Sequence, residues 1–160
     1  LEDLLHGQDC EAIVPVPPAF NGKDKLALFK LLRGRDAEGV VFKRTYSQYR
    51  PGRPASGGDW LKFKFVETAS FIVGGQNPKR RSVPLELVDV NGARVPAGNV
   101  TIPPNHPMPQ PGEVIEARYL YALSKSGSVY QPVYLGPRDD IPEEDCTTDQ
   151  LKFKPEPATA

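Results

Sequence analysis

The chain is poor in the residues that build metal centres and disulfide frameworks: among its 160 residues are two cysteines, Cys10 and Cys146, and two histidines, His6 and His106. The cysteines form no C-x-x-C pair, and His6 beside Cys10 leaves too few ligands for zinc. The same scarcity argues against a disulfide-stapled scaffold and for a reduced, intracellular protein. No apolar run approaches the roughly 20 residues that a membrane helix requires, and no secretory leader opens the chain, so a soluble protein is expected. Methionine occurs once, at Met108. The opening run Leu1-Glu2-Asp3-Leu4-Leu5 reads as the end of an amphipathic helix without its start, and a piece of a longer polypeptide is expected. Net charge is also lacking, since twenty basic residues balance twenty acidic ones. The balance is uneven along the chain. From Lys23 to Lys64 there are eleven Lys or Arg against four acids, and from Arg138 onward three against seven. A basic middle and an acidic tail predict a polyanion partner for part of the surface only.

What the chain has in quantity is proline, eighteen residues, and glycine, fourteen. That many turn formers predict short strands rather than a helical bundle. Ala12 to Val16 reads as a strand placed at an edge by Pro15. A helix follows, with Asp24 as its cap, an apolar stripe of Leu26, Leu28, Phe29, Leu31 and Leu32, and Gly34 as its stop. Gly39 to Arg44 and Trp60 to Val66 read as strands around a loop rich in Gly, Pro, Ser and Arg. Beyond Glu67 come five further strand candidates: Phe71 to Gly74, Val83 to Val90, Val95 to Ile102, Val114 to Leu123 and Val129 to Leu135. Asn91-Gly92 is a strong hairpin signal between two of them. Five short strands in some seventy residues fit a small barrel, with the five-stranded oligonucleotide-binding barrel (OB-fold) a natural candidate and an SH3-like barrel or a sandwich fragment fitting almost as well. The boundary falls near Glu67 to Ser70, and the acidic stretch after residue 141 reads as a mobile tail. Leu151-Lys152-Phe153-Lys154 repeats Leu61-Lys62-Phe63-Lys64, and we attach no meaning to the repetition.

Chemistry concentrates in Glu38-Gly39-Val40-Val41-Phe42-Lys43 and Trp60-Leu61-Lys62-Phe63-Lys64-Phe65. Two apart on a strand, Lys62 and Lys64 leave the same face, and an anion between them relieves their repulsion. Two solvated lysines on a half-buried strand would show the same alternation. Glu38, at the start of an apolar strand, is either a divalent-cation ligand or a solvent-facing carboxylate near Arg35 or Arg44.

In order and spacing these two segments resemble motifs IV and V of ATP-dependent DNA ligases. Gln131-Pro132-Val133-Tyr134-Leu135-Gly136-Pro137-Arg138-Asp139-Asp140 resembles their motif VI, with Ile141 where a lysine often closes the pattern. The likeness runs from about Ala12 to Asp140, and three motifs in order are more specific than any one alone. It implies an α+β fragment of a nucleotidyltransferase (adenylation) domain over residues 1–67, an all-β OB-fold barrel over 68–141, and the tail over 142–160. It further implies that Lys62 and Lys64 bind ATP phosphates, that Lys43, if not simply a solvated strand-end lysine, contacts the nucleotide or the DNA backbone, that Glu38 holds Mg²⁺, and that Arg138 orients the pyrophosphate leaving group through its planar fork. Arg138 paired with Asp139 or Asp140 is the simpler alternative.

The family's nucleophile, the lysine of Lys-x-Asp-Gly, occurs nowhere in this sequence. The resemblance therefore implies a piece that is inactive alone, taken from an intracellular, monomeric enzyme sealing nicks in duplex DNA with ATP during repair, replication or recombination, in the cytoplasm or on a bacterial nucleoid. Arg44, Arg50, Arg53, Lys79, Arg80 and Arg81 carry no base-reading pattern and suit contacts to DNA phosphates. Two alternatives stand beside this reading: an RNA capping guanylyltransferase, whose motifs are a looser form of the same set, and a non-catalytic OB-fold module that binds nucleic acid.

Overall fold

The structure, a computed structural model, describes residues 18–48 and 58–154. Helix α1 (Gly22–Gly34) begins at Asn21, whose side chain accepts the backbone N–H of Asp24 at 2.8 Å and donates to the Asp24 carboxylate at 2.5 Å. The cap is thus Asn21 rather than the expected Asp24. Asn21 satisfies an orphan N–H of the first turn while Asp24, three residues on, returns the bond and lies at the positive end of the helix dipole. At the far end Arg35 donates to the carbonyls of Leu31 and Leu32. The left-handed conformation that closes the helix belongs to Asp36 (φ 54°), not to Gly34. A short aspartate side chain tolerates that region.

Strands β1 (Gly39–Lys43) and β2 (Trp60–Lys64) form an antiparallel ribbon in which Gly39 faces Lys64, Val41 faces Lys62 and Lys43 faces Trp60. Period-two alternation divides it into two faces. Phe63, with Phe65 just beyond the strand, turns toward the helix, their rings 5.5 Å and 5.1 Å from Phe29. Lys62 and Lys64 take the opposite face. Among the described residues none before Phe65 is buried.

Five further strands, β3 (Glu67–Val73), β4 (Ser82–Val88), β5 (Arg94–Thr101), β6 (Val114–Tyr119) and β9 (Val133–Pro137), build an antiparallel sheet in the order β5-β4-β3-β6-β9. In β4 burial alternates strictly, with Val83, Leu85 and Leu87 inside. The central β3 is buried on both faces from Ala69 to Val73. Two bulges bend the sheet. One sets Leu85 opposite Gly98 and Glu86 opposite Pro96, with Gly98 at φ 106°, and the other leaves Leu135 outside the β6–β9 ladder. The outer strands β5 and β9 come into contact, so the sheet curls toward closure.

Two expected strands are each divided. Val114 to Leu123 breaks at Leu120 into β6 and β7 (Tyr121–Ala122), and Val129 to Leu135 breaks at Gln131 into β8 (Val129–Tyr130) and β9. The short β7 and β8 pair with each other instead of extending the sheet. Gln131 has φ 53°, which no strand accommodates.

The stretch expected as a mobile tail from 142 onward differs over residues 142–154. It folds back as two 3-10 turns, Glu143–Asp145 and Thr148–Gln150, and buries Cys146 and Leu151 in the core. The Gln150 carboxamide takes the place of a neighbouring strand along β3, accepting Ser70 N–H at 2.9 Å and donating to Ser70 C=O at 3.1 Å. Tyr119, fully buried, lends its hydroxyl to the same segment: it donates to Gln150 C=O at 3.2 Å and accepts Lys152 N–H at 3.0 Å. Acidic composition masked this segment because its two buried apolar residues lie among surface carboxylates. No described helix is long and apolar enough to cross a membrane.

Candidate functional site

β2 carries the predicted phosphate ligands on one exposed face. Lys62 has no carboxylate within ion-pair reach among the described residues, whereas Lys64 has two oxygen partners. Its ammonium donates to the Gln131 side-chain oxygen at 2.9 Å and lies 3.7 Å from a Glu38 oxygen. Lys43 stands at the far end of the ribbon, its ammonium 4.3 Å above the Trp60 ring. Such a contact attracts the cation to the ring without neutralising it. Three lysines thus line one ribbon, Lys62 with no ion-pair partner among the described residues.

Glu38 precedes β1, and its backbone carbonyl accepts Phe65 N–H at 3.0 Å, which fixes where the side chain starts. The carboxylate is half-exposed. Among the described residues no cluster of three His, Cys, Asp or Glu offers a ready metal cage. A single carboxylate beside two lysines would suit Mg²⁺, which commonly takes one or two carboxylates and draws its other ligands from phosphates and water.

Arg138 lies just past β9 in a fork of carboxylates. Nε and Nη2 donate to the two Asp140 oxygens at 2.8 and 2.9 Å, and Nη1 donates to Glu116 at 2.9 Å. The same Glu116 oxygen accepts Ser70 Oγ–H at 2.8 Å. Hydrogen bonding to Asp140 raises the guanidinium pKa further, and the same bond holds the Asp140 carboxyl below its ordinary value. A depressed carboxylate stabilises the fold above its unfolded pKa, and that contribution is lost as pH falls through the lower folded value. Arg138→Met is expected to return the Asp140 carboxyl upward to the ordinary range, read by NMR titration of the side-chain carboxyl carbon. No upward movement would show that Arg138 is not the cause.

The predicted DNA contacts separate into three groups. Arg50 and Arg53 lie outside the described residues. Arg44 is paired with Asp59 at 3.0 Å, and Arg81 is taken up by the chain itself, donating to the carbonyls of Ile102, Pro103 and His106. Arg81 therefore holds the proline-rich loop after β5. Lys79 and Arg80 remain exposed beside it. A second junction escaped the sequence: Lys152 donates to Asp36 at 3.0 Å and to Glu67 at 3.2 Å, tying the loop after α1 to the start of β3. A cavity of about 220 Å³ lies there, lined by residues that include Glu38, Phe65, Tyr121 and Lys154.

No family model and no curated protein matches this sequence. Solved structures do. A Lig E DNA ligase aligns at 16% identity and a TM-score of 0.55, over 76% of this chain and 48% of its own. The chain shares its fold with part of a DNA ligase. Pmar-Lig_Pre aligns at 18% identity and a TM-score of 0.57, over 76% of this chain and 32% of that one. The ligase domain of LigD from M. tuberculosis aligns at 23% identity and a TM-score of 0.45, over 91% and 56%. This chain thus spans between about a third and just over half of the length of these three structures.

Proposed function

We propose that this chain is the C-terminal part of an ATP-dependent DNA ligase, the end of a nucleotidyltransferase domain joined near Glu67 to an OB-fold barrel. One observation carries the reading: Lys62 and Lys64 leave the same exposed face of β2, with Glu38 beside them, on a fold shared with a Lig E ligase. Lys62 and Lys64 would hold the nucleotide phosphates, where fixed positive charge stabilises charge moving onto a leaving pyrophosphate. Lys43 would contact the nucleotide or the DNA backbone. Glu38 would hold Mg²⁺, which supplies further charge neutralisation at the phosphates. Arg138 would orient the leaving group only after exchanging Asp140 for phosphate oxygens, a like-for-like replacement for a bidentate fork. The complete enzyme would seal nicks through a lysyl-AMP whose lysine is outside this sequence. The exposed Lys79 and Arg80 would contact DNA phosphates.

The reading is tested by mixing the 160-residue protein with ATP, Mg²⁺ and nicked duplex. No protein–AMP adduct and no sealed product are expected, together with DNA binding that falls steeply with salt. Lys79→Ala and Arg80→Ala should each lower the salt slope by about 1, one phosphate contact apiece. Sealing by this chain alone would refute its reading as an incomplete catalyst, and salt-independent binding would refute the phosphate contacts.

A further inference from the structure

Gln131 combines three features that local structure does not require of it. It sits at φ 53°, it interrupts what would otherwise be one strand from Val129 to Leu135, and its side-chain oxygen reaches from the curled sheet to the ammonium of Lys64 on the ribbon, 2.9 Å away. A non-glycine residue in the left-handed region carries a conformational cost that surrounding structure must offset, and such residues gather at functional positions. The contact it makes joins residues 67 positions apart.

We propose that Gln131 is a positioning residue for Lys64, holding its ammonium in the direction an anion on the ribbon would meet. An ammonium has three donors. On Lys64 one is committed to Gln131 and one faces Glu38, which leaves one for an anion. Gln131 is neutral, so it fixes the direction of the ammonium without cancelling its charge. A carboxylate in its place would fix the ammonium equally well and cancel the charge. This assignment rests on the reading of Lys64 as a phosphate ligand. It adds to that reading a requirement for a residue from the second half of the chain.

The test is a calorimetric titration of the 160-residue protein with inorganic tripolyphosphate, a probe that needs no adenosine subsite. Gln131→Met keeps the side-chain volume and loses the acceptor, and is expected to weaken binding about three-fold, the worth of one modest hydrogen bond. Gln131→Glu should weaken it about ten-fold by pairing with the ammonium. In a Lys64→Met background both effects should disappear, because coupled residues are non-additive. Thermal melts of each variant confirm that it is folded. Gln131 variants that bind like the wild type overturn the positioning role and leave the phosphate reading intact. Effects of Gln131 that persist without Lys64 also overturn it. Absence of wild-type binding, or binding unchanged by Lys64→Met, overturns the phosphate reading and this assignment with it.

Discussion

Gly39→Ala is expected to separate the two strands of the ribbon and to bring tripolyphosphate affinity down to that of Lys64→Met. Gly39 faces Lys64 across the ladder. A methyl group built on it collides with the Phe63 carbonyl oxygen and stands 2.9 Å from the Lys64 Cα. The colliding atoms are backbone, so no rotamer change relieves them, and the strand carrying Lys64 has to move. Overpacking of this kind costs typically about 1–3 kcal/mol, and a two-stranded ribbon has little stability in reserve. The measurement is a pair of NMR spectra, following cross-strand contacts between Val41 and Lys62, alongside the anion titration. Gly22→Ala is the control, since a methyl there meets nothing within 4 Å. Retained cross-strand contacts with retained affinity in Gly39→Ala would show that the ribbon absorbs the methyl and that Lys64 is not held by this close approach.

Tyr119 should give the largest loss of stability in the sheet. It is fully buried, its ring meets Phe71 edge-on at 6.3 Å, and its hydroxyl joins two backbone groups of the returning segment. Burial raises the pKa of that hydroxyl, so it stays protonated and able to donate. Tyr119→Ala removes a large aromatic from the core and is expected to cost about 3–5 kcal/mol, a sizeable part of the roughly 5–15 kcal/mol that a domain has in total. Tyr119→Phe isolates the hydroxyl. It leaves Lys152 N–H and Gln150 C=O without their partner and should cost about 1–3 kcal/mol. Guanidinium unfolding separates the two. A phenylalanine variant as stable as the wild type would mean that the returning segment does not depend on this hydroxyl.

The lysine face was legible in the sequence because it needed only period two: Leu61, Phe63 and Phe65 alternate with Trp60, Lys62 and Lys64, and the ribbon pairs in a register that preserves this. β4 was legible for the same reason. What escaped was set by groups distant in sequence or by single backbone residues. Nothing in Val129 to Leu135 announces that Gln131 takes a left-handed conformation, since glutamine is not a residue that favours it. Arg81 reads as a surface cation until the stretch from Ile102 to His106 offers it three carbonyls. Asn21 and Asp24 are both good caps three residues apart, and only the observed bonds assign the cap to Asn21. The segment from Cys146 to Leu151 was lost to averaging, because two inward-facing residues do not raise the hydropathy of an acidic window.

The uneven depth of the molecule has a kinetic meaning. Every buried residue described lies at Phe65 or later, while the helix and ribbon before it rest on half-exposed contacts. Opening free energies follow buried apolar contact, so the N-terminal portion belongs to a shallow cooperative unit and the curled sheet to a deep one. Local unfolding of the shallow unit would dismantle the lysine ladder while Tyr119, Phe71 and their neighbours stay packed. The lysine ladder would then come and go without the sheet melting, and its lifetime would be set by the ribbon's own opening rate rather than by the stability of the molecule as a whole.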